Sequence, residues 1–382
     1  MFKKFNIIFF VILILSFCNY PEKQKPKNII IMIGDGMGIG QITAAMYSSN
    51  KPLNFTRFKY IGLMTNHSYD KIVTDSAASA TAIATGYKSY NHAISVDPDK
   101  KPLKTIMEYA KEKGYSFGVI VTCSLTHATP AAFLSHAEDR EDQYEIALDI
   151  VGIEPDIALG GGLKYFKNRP DQRNLIQELN NKNYEIYYQW QNLLNAKLDN
   201  NKKIIGLFAD DGLPPVIKTK PNPDSKYYDY LNNITDFNKV RSQEYLLQMT
   251  RVALKILKSK ENPFILLIEG SQIDWGGHNM DSNYIIGEVL DFDKAIGEVL
   301  DFAEREQNTL VIVTADHETG GYSITKGNIE KYKPLLNFET KFIHSKHTST
   351  IVPVFSYGPG AKEFLGIYDN TDIFHKIKKL WF

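Results

Sequence analysis

The sequence predicts an α/β protein: a three-layer sandwich whose central, mostly parallel sheet is flanked by helices. Three observations predict it. Short apolar runs rich in β-branched residues recur along the chain, each the length of a buried strand. Stretches with helical apolar spacing lie between them, and this alternation implies crossover connections. Most of the strand-like runs also end in side chains of the ligand type. In open parallel sheets ligands collect beyond the carboxyl ends of the strands.

The first run, "NIIIMI" from Asn28, passes into "GDGMGIG". A dinucleotide-binding G-x-G-x-x-G needs its third glycine three residues after the second. The three frames place Ile39, Gln41 and Thr43 there, so all fail. What remains is a strand end where glycine allows a sharp turn and one carboxylate, Asp35, stands at the tip. The runs "FGVIVT" from Phe117, "PFILLIE" from Pro263, "TLVIVT" from Thr309 and "IVPVFSY" from Ile351 also read as buried parallel strands. "THAT" follows the second run, Glu269 closes the third and "ADHE" follows the fourth.

Two intervening stretches carry a helical stripe. "LKTIMEYAKEKG" aligns Leu103, Ile106, Met107 and Ala110 before Gly114, and "YLLQMTRVALKILK" aligns Leu246, Leu247, Thr250, Ala253, Leu254 and Leu257. "GEVLDF" occurs at Gly287 and again at Gly297, an echo within one amphipathic helix. The polar stretch from Lys164 to Lys239 reads as peripheral elaboration, and Lys326 to Lys346 as a small inserted cap.

With 382 residues, 43% hydrophobic and 23% charged, the composition is globular with no disordered bias. The formal net charge is +0, so the electrostatic footprint of a nucleic-acid-binding module is missing. Lys3 and Lys4 precede "NIIFFVILILSFC", a run too short to span a bilayer and suited to a signal h-region. "LSFC" places Cys18 directly after it, and the polar "NYPEKQKPK" follows. The pattern resembles a bacterial lipoprotein signal, with simple cleavage or an uncleaved anchor as alternatives. Residues 1–17 then form the signal and 18–27 a tether. The protein is expected to be exported, periplasmic or at the cell surface, and lipid-anchored to a bacterial membrane through Cys18. That use of Cys18 leaves Cys123 alone, without an intrachain disulfide.

The chemistry-bearing residues are scattered. In "VTDSAASATAIATG" Asp75 suits a helix N-cap, which puts Ser76 in a first turn where free amides attract anions. Asp274 and His278 in "IEGSQIDWGGH" are one helical turn apart, and a carboxylate with an imidazole suits Zn²⁺. "VTADHETGG" sets Asp316 beside His317 at a strand end, and "HSKHTST" adds His344 and His347. Each alone is an ordinary cap or surface pair. Together they form an inventory for metal-assisted phosphoryl transfer.

"GDGMG", "TDSAASATA", "THATPAAF", "IEGSQIDWGGH", "VTADHE" and "HT" stand in an order that resembles the alkaline phosphatase family, from Asn28 to the C-terminus. The resemblance implies one catalytic domain over residues 28–382. It implies hydrolysis of small phosphate monoesters, with broad specificity, through a phosphoserine at Ser76. Asp274, His278 and His347 would hold one zinc ion; Asp35, Asp316 and His317 would hold a second. Asp35, Thr129 and Glu269 would hold a third metal, Mg²⁺ in the family, and Arg140 would clamp the phosphate. His344 competes with His347, which is preferred because Thr348 follows it. The family is commonly a homodimer. His127 stands where some members have Asp, and Trp275 where some have Lys. A neutral imidazole there favours softer metals, Co²⁺ or Zn²⁺, in the third site. Phosphodiesterase or sulfatase chemistry and a non-catalytic binding role are the alternatives.

Overall fold

The computed structural model describes residues 25–199, 201–328 and 338–382. The signal, the lipidation site at Cys18 and most of the tether lie outside these residues, as does the middle of the Lys326–Lys346 insertion. Among the described residues no helix is long and apolar enough to cross a membrane.

Fourteen strands are described: β1 Asn28–Gly34, β2 Tyr60–Thr65, β3 Ser116–Ser124, β4 Ile157–Gly161, β5 Tyr184–Tyr187, β6 Lys203–Leu207, β7 Phe264–Gly270, β8 Thr309–Thr314, β9 Glu318–Thr319, β10 Ser323–Gly327, β11 Phe338–Lys341, β12 His347–Thr348, β13 Val352–Tyr357 and β14 Gly366–Asp369. Ten of them form one sheet in the order β14-β2-β13-β8-β1-β7-β3-β4-β6-β5, with helices on both faces. Every residue of β1, β3, β7 and β8 is buried. That is why these segments read as continuous apolar runs rather than alternating ones.

Register places the site. Ile33 of β1 pairs with Glu269 of β7 on one side and with Thr314 of β8 on the other, and Val121 of β3 also lies level with Glu269. The carboxyl ends of four neighbouring strands therefore finish together. Asp35, Glu269, Asp316 and the turn before Thr129 emerge at one edge of the sheet.

Three expectations are corrected. β13, expected to be parallel, pairs antiparallel with both β8 and β2. The chain from β8 stays at the site through β9 and β12, and without a crossover helix the next strand can only run back the other way. The Lys164–Lys239 stretch is not wholly peripheral. It supplies β5 and β6, which form one edge of the sheet. Leu103 lies outside its helix, which starts at Ile106 behind a Thr105/Glu108 capping box.

Two helices matter most for the site. Ser76–Thr85 is buried along its whole length, capped by Asp75, whose Oδ1 accepts from Ala78 N at 2.9 Å. It stops at Gly86, in the left-handed conformation at φ 79°. Ser282–Glu306, capped by Asp281, contains both copies of "GEVLDF". Strands β10 and β11 pair antiparallel, bringing the insertion's described start beside Phe338–Lys341, and β10 packs beside helix Ile39–Ser48.

Candidate active site

Ser76 begins its buried helix at the carboxyl edge of the sheet, and the next turn is tied down where Ser79 Oγ donates to Asp316 O at 2.8 Å. Ser76 Oγ lies 3.2 Å from His317 Nε2. The nucleophile candidate therefore touches the residue at the centre of the site.

Two groups of side chains converge there. Asp35, Asp316 and His317 offer ligand atoms within 4.8 Å of one another, and so do Asp274, His317 and His347. Asp316 Oδ1 accepts from the amides of Gly36 at 3.1 Å and His317 at 2.9 Å, which leaves Oδ2 without a partner. Both carboxylate oxygens of Asp35 are buried and unpartnered. Burial and then the neighbouring Asp316 push Asp35 well above the usual carboxylate range. Burial likewise raises Asp316 to about 6. Buried carboxylates this close need a cation.

The imidazoles point to the same conclusion. His278 Nδ1 donates to Ser345 O at 2.9 Å and His347 Nδ1 to Thr74 O at 3.0 Å. Thr319 Oγ1 donates to Asp274 Oδ1 at 2.5 Å and so accepts from His317 Nδ1 at 3.3 Å. With each Nδ1 committed, all three rings turn an Nε2 lone pair into the site, the arrangement typical of metal-ligating histidines. His278 Nε2 is 3.1 Å from Asp274 Oδ2 and His347 Nε2 is 3.4 Å from Asp274 Oδ1. Burial alone would raise Asp274, but His278 and His347 hold it well below the usual carboxylate range. The β9–β12 ladder, in which His347 pairs with Thr319, delivers His347 to this place. His344 is exposed, and its ring accepts from Lys346 N, whereas His347 lies within a cluster. Gly36 sits at φ 73°, and a Cβ there would lie 2.6 Å from Asp274 Cα. The close approach of the two clusters requires glycine.

Behind Asp35 lies Glu269. Its Oε2 accepts from Ser271 Oγ at 2.7 Å and from the Cys123 thiol at 3.3 Å, while Oε1 and Thr129 Oγ1 are buried without partners. Burial raises Glu269 to about 7. His127 Nε2 meets Tyr230 Oη at 2.9 Å and Arg140 Nη2 at 3.3 Å, and its Nδ1 is buried without a partner. Burial, with Arg140 adding to it, lowers His127 to about 3, so the ring is neutral. Of the expected ligands, His127, His278 and Glu269 lie outside the two clusters; His278 Nε2 adjoins one through Asp274 Oδ2, and His127 Nε2 lies 3.3 Å from Arg140 Nη2. Arg140 Nη1 donates to Asp75 Oδ2 at 3.2 Å.

A cavity of about 240 Å³ opens over Ser76, with Arg140, His278, His347, Tyr227 and Tyr230 among its walls. None of its lining residues comes from the β10–β11 hairpin. Two larger cavities, about 670 and 560 Å³, lie near the β5–β6 edge and contain none of the cluster residues.

The "Alkaline phosphatase" family model matches residues 26–343. The chain belongs to the alkaline phosphatase family. Alkaline phosphatase 3 of Bacillus subtilis (strain 168) is 33% identical, with 94% of this chain and 89% of that protein covered. Alkaline phosphatase of Escherichia coli (strain K12) is 31% identical, covering 93% and 86%. The solved alkaline phosphatase from the Antarctic bacterium TAB5 superposes with a TM-score of 0.78 at 38% identity, covering 94% of this chain and 98% of that chain. The chain is accordingly a phosphomonoesterase of the hydrolase class with a metal-binding site.

Three residues escaped the sequence reading. Thr319 follows "ADHE" directly and was within reach of a motif argument. Tyr227 and Tyr230 lie in a polar stretch with no apolar period, and only the tertiary fold brings them to Ser76.

Proposed function

We propose that this chain hydrolyses phosphate monoesters of broad specificity through a phosphoserine formed on Ser76. Asp274, His278 and His347 would hold one zinc ion and Asp35, Asp316 and His317 a second, with Asp35, Thr129 and Glu269 at a third site for magnesium. The observation that carries the reading is the Ser76 hydroxyl, 3.2 Å from an imidazole common to two clusters of buried ligand atoms. The unpartnered oxygens of Asp35, Asp316, Glu269 and Thr129 and the three Nε2 lone pairs fit bound cations. Bound zinc lowers the pKa of a nearby hydroxyl and offsets charge on attacking and leaving oxygens.

The chain's own groups do the rest. Asp75 fixes both the start of the Ser76 helix and the Arg140 guanidinium, which places two donors beside the nucleophile. Arg140 and the first-turn amides bind the equatorial oxygens of the phosphoryl group. Ser76 Oγ attacks phosphorus, the leaving alcohol departs, and water then cleaves the phosphoserine. We read His127 as the residue that weakens Mg²⁺ in the third site and lets Co²⁺ or Zn²⁺ replace it. Variants of the TAB5 enzyme with a histidine replaced by glutamate or aspartate are solved with Mg bound in the M3 site, which supports that reading. We also read residues 28–382 as one catalytic domain, exported, lipid-anchored at Cys18 and assembling as a homodimer.

The test is p-nitrophenyl phosphate hydrolysis from pH 7 to 10 by the purified protein, first metal-free and then with Zn²⁺, Mg²⁺ or Co²⁺ added. Metal-restored turnover that Ser76→Ala removes is expected. A folded protein inactive with every metal would overturn the monoesterase mechanism in favour of diesterase chemistry or a binding role.

A further inference from the structure

One wall of the cavity over Ser76 comes from a segment that carries none of the motif residues. We propose that Tyr227 contacts the substrate and selects aromatic over aliphatic leaving groups, an inference that rests on the Ser76 mechanism above.

The segment is fastened rather than loose. Asn222 N donates to Asn279 Oδ1 at 2.6 Å, and Asn279 Nδ2 donates to Lys220 O at 2.9 Å. Ser225 Oγ donates to His278 O at 2.5 Å, and the Thr219 hydroxyl donates to Asp281. Tyr227 is thereby tied to the end of the helix Gln272–His278 that bears Asp274 and His278. Its ring stacks on the His278 imidazole, with centroids 3.8 Å apart and planes 24° apart. A ring held this way is ordered before any substrate arrives, so its contact costs little further entropy.

The cavity has two chemically distinct sides. Ser76 and Arg140 supply the anion-binding groups, and Tyr227, partly buried and stacked on His278, supplies an aromatic wall. The Tyr227 hydroxyl makes no hydrogen bond with any described residue. Burial raises the phenol, Asp274 adds to this and Arg140 opposes it, so the group stays neutral. A phosphoryl group held by Ser76 and Arg140 leaves its organic substituent in the rest of the cavity, whose lining includes the Tyr227 ring. An aromatic substituent can meet the ring edge-to-face or stacked, and an aliphatic one gains only area.

The experiment uses the full-length, zinc- and magnesium-loaded enzyme, with Tyr227→Leu and Tyr227→Phe beside it. kcat/KM is measured for phenyl phosphate and for glycerol 2-phosphate, and Ki for inorganic phosphate. In Tyr227→Leu the phenyl-to-glycerol ratio is expected to fall roughly three- to tenfold, with Ki for phosphate within about twofold. Tyr227→Phe keeps the ring and is expected to keep the ratio. A ratio unchanged in Tyr227→Leu, whether both rates hold or both fall together, overturns the proposal and leaves Tyr227 as packing for His278. Wild-type enzyme inactive on both esters would instead overturn the reading of the site, and this inference with it.

Discussion

His278 Nε2 and His347 Nε2 face each other at 3.1 Å, while the Nδ1 of each donates to a backbone carbonyl. Two lone pairs pointed at each other repel, so the contact needs a cation: a metal ion, or a proton when the metal is gone. Burial opposes the proton, yet Asp274 raises His347 above its ordinary value, so the metal-free site has that substitute. It is a poor one, because the buried, unpartnered oxygens of Asp35 and Asp316 remain. Chelation is therefore expected to lower the melting temperature, and added Zn²⁺ to restore it. A ligand at about 100 times its Kd adds about 2.7 kcal/mol, which in a chain of this length is a shift of roughly 3–4 °C for each site filled. Thermal melts with and without chelator check this, and His347→Ala should show a smaller zinc-dependent shift.

Arg140 is aligned by Asp75, whose Oδ2 takes the guanidinium at 3.2 Å and the amide of His92 at 3.0 Å. Lysine would keep the charge and lose the planar fork. Arg140→Lys should raise the Ki for inorganic phosphate by roughly ten- to a hundredfold, the loss of one charge-assisted hydrogen bond. KM for monoesters should rise with it. Competitive inhibition by phosphate measures the effect, and an unchanged Ki would remove Arg140 from the anion side of the cavity.

His127 is neutral and presents one unpartnered nitrogen in a buried place. A carboxylate there adds the negative charge and hard oxygen ligands that Mg²⁺ favours. His127→Asp is expected to lower the half-saturating Mg²⁺ concentration by about tenfold or more and to erase any advantage of Co²⁺. Titrating Mg²⁺ and Co²⁺ into zinc-loaded enzyme tests this. Identical metal dependence in the two proteins would show that His127 does not govern the third site.

The parts of the site that were legible in the sequence are those attached to strands. Asp35, Glu269, Asp316 and His317 each follow a buried β-branched run, and register alone brings such residues together. Asp75 and Ser76 were legible because capping is local chemistry. The direction of β13 was not, since nothing in "IVPVFSY" records which end of the sheet the chain arrives from. Strand β5 was hidden because a four-residue edge strand in a polar stretch carries little apolar signal, and β6 because its short buried run is set among Asn and Lys residues. Tyr227 and Tyr230 were hidden because their partners, His278 and His127, lie about fifty and a hundred residues away in opposite directions, and no period links such pairs.

The segment carrying those tyrosines is anchored by a buried charge cluster that makes its own pH prediction. Arg241 donates to Glu288 Oε2 at 2.5 Å and to Asp291 Oδ2 at 2.9 Å, and Val216 N donates to Glu288 Oε1 at 2.9 Å. One guanidinium faces two buried carboxylates, and Asp291 Oδ1 has no partner. Burial raises Asp291 to about 7, against the opposing pull of Arg241 and Lys294 and with the help of Glu288. An unfolded aspartate ionises near about 3.9. Below that pH the carboxyl is protonated in both states, and its stabilising contribution is complete. Between about 4 and about 7 the unfolded chain releases the proton first, so stability is lost as pH rises through the folded value, and no more is lost above it. Asp291→Asn keeps an oxygen for Arg241 and removes the ionisation. Wild type should therefore lose more melting temperature than the variant between pH 5 and pH 8. The variant should already be ahead at pH 5, where the unfolded aspartate has ionised, and its lead should widen by on the order of 1–3 kcal/mol between pH 5 and pH 8. Denaturant titrations of metal-saturated protein at both pH values measure the difference. Parallel pH profiles would mean that Asp291 is ionised in the fold throughout, with Arg241 supporting both carboxylates at once.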